Sequence, residues 1–466
     1  MSAVGHRLDT LPLGRFHRRL LFIGGSGYAF DGLDSAIIAF ILPVLHELWT
    51  LSPAAMGGIS SITYIGFFLG ASLSGLIGDR FGRRPIMMWA LALFCAASVL
   101  SALMPQYSAF MACRFIAGIG LGAESAIIAP YLAEFVASRY RGAFTASLAG
   151  FFSFGFVAAA LLGTFVVPAG PQGWRWAIAL TGAPVLLLLW WRRALPESPR
   201  WLESTGRHHE AAEILRIIEE ESRPAGPSLP GNSVFPAPAP HTRLSLREQI
   251  DMLFSSQMRR PLAVSWSTWF CLTFSYYAVF TWIPSFLIAH GLTMAHGIGF
   301  SIAIYAAQIP GYFSAAALIE ILGRGKTIAF YLFGSTLSAA ALILSHGSAP
   351  IIGTAMALSF CLTGGYAGLY AYTPELFPTA LRATGVGSAS AIGRLGAIIS
   401  PLLVGLMLPR VGYAGVFTLI TVMLLAGAAI VLAFGPATAG LSLDKIDDAA
   451  ESPTAHTLPE QKDRTP

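Results

Sequence analysis

Lys, Arg, Asp and Glu make up only 11% of the 466 residues, and they are spread so unevenly that long stretches contain none. Ala54 to Gly78 carries no charge, and no charged residue lies between Arg260 and Glu320 or between Lys326 and Glu375. A soluble domain has about 25% charged residues. A chain that is 55% hydrophobic has too little polar surface to coat itself in water. In hydrocarbon each backbone N–H and C=O must be satisfied inside the chain, so such runs are read as transmembrane helices.

A crossing needs about 20 apolar residues. The longer runs are therefore double, and divide at His346-Gly347-Ser348-Ala349-Pro350 and at His290 to Gly297. The spacing predicts an all-α membrane protein of twelve spans, near 20–48, 54–77, 86–104, 109–133, 143–167, 174–194, 261–289, 297–320, 327–346, 350–373, 383–408 and 412–435. Lys and Arg mark cytoplasmic loops. Arg15, Arg18 and Arg19 in the first tail, and Arg80, Arg83 and Arg84 in the second loop, predict that both termini are cytoplasmic. Alternate loops near 49–53, 105–108, 168–173, 290–296 and 347–349 hold no Lys or Arg, Arg410 being the exception. The first apolar stretch is too long and too acidic for a signal peptide.

Slid past itself by 241 residues, the chain brings Pro43 onto Pro284, Tyr64 onto Tyr305, Gly70 onto Gly311 and Asp79 onto Glu320. The same offset brings Gly82-Arg83 onto Gly323-Arg324, and Tyr131, Glu134 and Arg141 onto Tyr372, Glu375 and Arg382. Charged residues are scarce here, so their common register indicates a duplication with a site between the halves. The expected organisation is a tail (1–19), a six-helix half (20–194), a cytoplasmic linker (195–260), a second half (261–435) and a disordered tail (436–466). Within the linker, Arg207 to Ser222 reads as an amphipathic helix with a solvated face, and 223–240 is Pro-rich.

Cys95, Cys113, Cys271 and Cys361 all fall inside predicted spans with no CxxC spacing, so they read as packing residues rather than metal ligands or disulfides. The net charge of +5 reflects Arg clusters facing anionic lipid rather than nucleic acid. No phosphate-binding loop or catalytic set appears, so neither an enzyme, ATP nor a cofactor is expected.

The loop GDRFGRRP (Gly78 to Pro85) resembles the signature loop of the major facilitator superfamily, with a degraded copy IEILGRGK (Ile319 to Lys326) in the repeat. PESPRWL (Pro196 to Leu202) and PELFPTALRATGVG (Pro374 to Gly387) resemble the sugar-porter and organic-ion branch. FDGLDSAIIAFILP (Phe30 to Pro43) resembles the DGxD signature of aromatic-acid:proton symporters, and GIGLGAES (Gly118 to Ser125) resembles metabolite:proton symporters of nicotinate-transporter type.

A charge in mid-membrane is costly, about 2.5–3.5 kcal/mol on insertion scales, which singles out Asp31, Asp34, Arg114, Glu124 and Arg394. Asp31 and Asp34 share one helical face and are read as proton-binding acids, with a paired structural acid as the alternative. Arg114 resembles the family's coupling arginine. Glu124, a candidate for proton or substrate coupling with a structural hydrogen bond to backbone or Tyr as the alternative, lies ten residues further, about 15 Å along the axis, so another helix must supply its partner. Arg394, about 18 Å beyond Arg382, offers a rigid fork suited to a carboxylate, with an interhelical salt bridge as the alternative. Tyr64, Tyr276, Tyr277, Tyr305, Gln308, Tyr366 and Tyr370 are candidates to complete the pocket. The pairs Glu134 with Arg141 and Glu375 with Arg382 resemble the family's gating bridges, in a network with Asp79, Arg80, Arg83, Arg84, Glu197, Arg200, Glu320 and Arg324.

The resemblance implies a monomeric alternating-access transporter of the bacterial inner membrane. Its implied partners are a proton and a small organic anion, an aromatic or heteroaromatic carboxylate, carried inward. A sugar or polyol symporter, a drug exporter and a transporter-like sensor stay open as alternatives.

Overall fold

A computed structural model describes residues 3–186, 195–222, 246–291, 294–378 and 381–436. Among these the regular structure is helical, without a strand. After a short α1 (Ala3–Thr10), the first half contains α2 (Arg15–Trp49), α3 (Pro53–Phe81), α4 (Arg83–Leu103), α5 (Tyr107–Ala133), α6 (Ser138–Phe165) and α7 (Gly173–Thr181). The polar connection holds α8 (Pro199–Ser204), α9 (His208–Ser222) and α10 (Leu246–Leu253). The second half comprises α11 (Arg259–Ala289), α12 (Met294–Ala306), α13 (Gln308–Leu322), α14 (Arg324–Leu344), α15 (Ser348–Tyr372) and α16 (Arg382–Phe434). The Pro-rich tract, the last residues of the sixth span and the C-terminal tail lie outside the described residues.

Nine of these helices, and the stretch Phe300–Leu322 that runs through α12 and α13, are long and apolar enough to cross a bilayer. Two features bring the crossings to the twelve expected. α16 holds two of them, meeting at Gly412, whose φ of 63° breaks the helical path. α7 is the described part of the sixth. The eighth crossing, expected as one helix, is split between α12 and α13 at Ala307. Pro310 explains the split: it lacks an N–H, and its ring collides with the carbonyl four residues back.

Glycines set the packing distances in the first half. A methyl group on Gly118 would stand 2.1 Å from Thr63 O, and one on Gly122 2.0 Å from Phe67 O, so α5 and α3 lie backbone to backbone. On the other face of α5, Gly120 does the same against Phe94 and Ala90 of α4. The halves join where α3 meets α16, α6 meets α12 and α2 meets α11. At the Arg-poor end the α3–α16 seam is very close: Gly57 faces Pro401 O, Gly405 faces Pro53 O, and the Ser61 hydroxyl donates to Ile398 O at 2.6 Å.

The 241-residue offset reappears in three dimensions at the Arg-rich end. Gly82 (φ 99°) and Gly323 (φ 80°) hold equivalent turns. Arg83 pairs with Glu134 at 3.2 Å and Arg324 with Glu375 at 3.0 Å. The Tyr131 hydroxyl donates to Pro196 O, and its equivalent Tyr372 donates to Pro436 O. This corrects the pairing read from sequence. Glu375 takes Arg324 rather than Arg382, which donates instead to Pro374 O at 3.0 Å, because the arginine after the tight turn enters from a neighbouring helix start. The Arg141 side chain lies outside the description, so its pairing with Glu134 has no counterpart to compare.

α9 lies where an amphipathic helix was expected. It buries Ala211, Leu215 and Ile218 in a core shared with Val4 and Leu8 of α1 and Phe16 and Leu20 of α2. Its outer face is solvated as expected in part only, since Glu219 pairs with Arg7 at 2.8 Å and Glu221 with Arg19 at 3.2 Å.

Candidate functional site

α16 enters the bundle from the Arg-rich end, and two glycines let it sink against α11. A methyl on Gly393 would meet Trp269 at 2.9 Å, and one on Gly396 would meet the Phe274 backbone N at 2.9 Å. Arg394, twelve residues along the helix, is thereby placed between the halves. Its guanidinium carbon lies 4.0 Å from the centroid of the Phe67 ring of α3, a cation–π contact. Tyr277 of α11 stands beside it in the same cavity wall, within the field of its charge. Among the described residues no carboxylate is within ion-pairing distance of Arg394.

Arg394 borders a central cavity with about 700 Å³ of empty space including its mouth. The second half supplies most of the wall as aromatic rings: Trp269, Tyr276, Tyr277, Tyr312, Tyr366 and Tyr370. The first half adds Tyr28, Phe67 and Phe152 with the hydroxyls of Ser35 and Ser125. The rings brace one another edge to face, Trp269 with Tyr370 at 5.2 Å and Tyr276 with Tyr366 at 5.1 Å, the geometry their quadrupoles favour. The Tyr366 hydroxyl is turned to Thr273 at 2.8 Å. The arrangement is a slot walled by aromatic rings, many of them bearing hydroxyls, with one cationic fork.

Of the residues singled out from sequence, Arg394, Tyr276, Tyr277, Tyr366 and Tyr370 line this cavity. The other three stand behind it. Tyr64 packs its ring 4.6 Å from Tyr277, and Tyr305 donates to Phe280 O at 3.0 Å from a wholly buried position. Gln308, at the start of α13, accepts from Tyr276 at 3.3 Å, and its buried amide nitrogen has no partner. Sequence reasoning passed over Trp269, Tyr28, Phe67, Phe152 and Tyr312. Trp269 and Tyr28 carried a signal, as large amphipathic rings inside spans away from the loops; the phenylalanines carried none in so apolar a chain.

The buried charges of the first half separate into two groups. Asp34 and Arg114 are both completely buried and pair at 3.1 Å. Asp34 also accepts from Ser98 at 3.0 Å and Thr181 at 2.7 Å, while Arg114 donates to Ser98 at 2.8 Å. Three other helices thus neutralise and saturate Asp34. Asp31 and Glu124, at 1% and 0% exposure, have no hydrogen-bond partner on any carboxylate oxygen. Both are near one level of the bundle, because Ser125 and Tyr28, their neighbours on α5 and α2, are joined hydroxyl to hydroxyl at 3.4 Å. Glu124, Asp34 and Arg394 are all near enough for their charges to act on Asp31.

At the Arg-rich end Glu197 connects the two sequence motifs. Its carboxylate accepts from the backbone N–H of Arg83, Arg84 and Ser198, thereby capping α4. Burial pushes its carboxyl above the ordinary range, and those three donors oppose the shift. Arg200 donates to Glu134 O at 3.1 Å and pairs with Asp9 at 3.4 Å. Glu320 is exposed, and the side chains of Asp79 and Arg80 lie outside the description.

Twelve crossings in two repeated halves, enclosing a central cavity, define a membrane protein of the major facilitator fold. The chain belongs to the family described as sugar (and other) transporters, whose model matches residues 25–450. It is 37% identical over 445 residues to the niacin transporter NiaP of Acinetobacter baylyi, covering 94% of this chain and 98% of that one. It is 31% identical to the inner membrane metabolite transport protein YgcS of Escherichia coli, with 94% and 95% covered. The inward-open xylose transporter XylE of E. coli superposes with a TM-score of 0.74 at 18% identity, over 93% of this chain and 99% of that one.

Proposed function

We propose that the chain imports a small aromatic or heteroaromatic carboxylate of nicotinate type across a bacterial inner membrane, coupled to a proton, with the Arg-rich end cytoplasmic. The observation that carries this reading is Arg394. A guanidinium without a carboxylate partner among the described residues, at the edge of a slot walled by aromatic rings, calls for a flat ligand bearing an anion. Likeness to a protein named as a niacin transporter supports the same ligand class. The walls bind the ring by edge-to-face contacts, and the fork takes both carboxylate oxygens. A sugar would find few amides here, Gln308 lying behind Tyr276.

Uptake into proteoliposomes of labelled nicotinate, benzoate and glucose under an imposed pH gradient tests the reading. Accumulation of nicotinate or benzoate that collapses with the gradient is expected, and accumulation of glucose alone would sink it. Arg394→Lys should weaken nicotinate binding roughly 10- to 100-fold, the loss of one charge-assisted contact worth about 1.5–3 kcal/mol.

A further inference from the structure

The buried charges do not balance until protons are placed on them. Asp34 and Arg114 cancel each other. What is left around the cavity is two carboxyls, Asp31 and Glu124, and one cation, Arg394. We infer that Asp31 and Glu124 form one proton-holding pair that carries a single proton while the cavity is empty and a second when an anion occupies Arg394. The inference rests on the function proposed above only for its second proton.

Both acids are buried, with every carboxylate oxygen unpartnered, and a bare ion in such a place costs several kcal/mol. Two bare ions beside one arginine are worse. With one proton on the pair, its remaining charge is offset by Arg394 across the interface between the halves. A substrate carboxylate entering the slot takes that arginine. The pair, stripped of its counter-charge, then takes a second proton onto a carboxylate oxygen; no substrate bond is made or broken. Substrate and deprotonated pair thus compete for Arg394, and one anion travels with one proton.

Among the described residues, the groups that face the pair leave it no other partner of charge. α2 supplies Asp34 and Tyr28, α5 Glu124, α16 Arg394 and α4 Cys95. α3 and α11 add Tyr64 and Tyr277, themselves within the field of Arg394. Among the described residues α6 contributes Phe152 and Gly155, whose backbones lie against Gly32 and Ala29. Asp34 is excluded as the exchanging site because two hydroxyls and a guanidinium already hold it.

Two measurements on the full-length protein in lipid nanodiscs test this. Infrared titration of the empty carrier reads protonated carboxyl directly: wild type should show one such band at neutral pH, absent from Asp31→Asn and from Glu124→Gln. Loss of the band from neither variant, or its absence in wild type, overturns the pair. Titration calorimetry with nicotinate, in buffers of different ionisation heat, reads proton uptake. Wild type should take up close to one proton per nicotinate, its affinity falling up to tenfold per pH unit at alkaline pH. Asp31→Asn/Glu124→Gln should bind with no uptake and no pH dependence. Uptake that survives in the double variant overturns the competition. Failure of nicotinate and benzoate to bind, with the infrared band present, would remove the proposed substrate and leave the pair standing.

Discussion

Asp31 and Asp34 stand one helical turn apart on α2, yet substitution should affect them in opposite ways. Asp34→Asn leaves the Arg114 guanidinium buried without its counter-ion, and breaking a buried pair from one side costs about 3–5 kcal/mol. Thermal unfolding in detergent should therefore shift down strongly, and Asp34→Asn combined with Arg114→Gln should recover part of the loss. Asp31→Asn removes an acid that has no partner, so its unfolding temperature should be equal to or above that of wild type. Equal destabilisation by both single substitutions would contradict the difference in their surroundings. The depth of both acids was legible in the sequence. Which of them is held was not legible, because Ser98, Arg114 and Thr181 come from three other helices, as far as 147 residues away.

Helices were the most legible elements, because charges at their ends and apolar runs between them leave little choice in a bilayer. Pro310 was equally visible, but whether a membrane proline bends a helix or breaks it depends on what can accept the freed carbonyl. The turn between α3 and α4 shows how an element boundary can be specified from afar. Gly82 has φ 99°, and a methyl there would stand 2.5 Å from Glu197 Oε2. Gly82→Ala should therefore cost about 1–3 kcal/mol in backbone strain and also displace the carboxylate that caps α4. The expected outcome is a lowered unfolding temperature with reduced uptake rate and nearly unchanged nicotinate affinity, measured by equilibrium binding. An affinity loss as large as the rate loss would mean that the cap acts on the cavity rather than on movement.

At the scale of the whole molecule, the offset that aligns the halves separates what is duplicated from what is single. The Gly82 and Gly323 turns, the Arg83–Glu134 and Arg324–Glu375 bridges and the two tyrosine contacts are repeated, and all belong to the Arg-rich end. Asp31, Glu124, Arg114 and Arg394 occur once each, opposite Leu272, Gly365, Ala355 and Ser153, and all belong to the centre. That division was legible; the seam that joins the halves was not, because it is written in Gly57, Gly405 and backbone carbonyls. The seam makes the last prediction. Any side chain at Gly57 must push against Pro401 O, since a methyl there already stands at 2.1 Å, so Gly57→Leu should wedge α3 from α16 at the Arg-poor end. Spin labels on Thr50→Cys and His346→Cys, exposed at that end of the two halves, should show a longer-distance population in the wedged protein. A tenfold change in that population corresponds to about 1.4 kcal/mol, within what one displaced side chain can supply. Unchanged distances together with wild-type uptake would show that the seam yields locally and does not report the closure of the carrier.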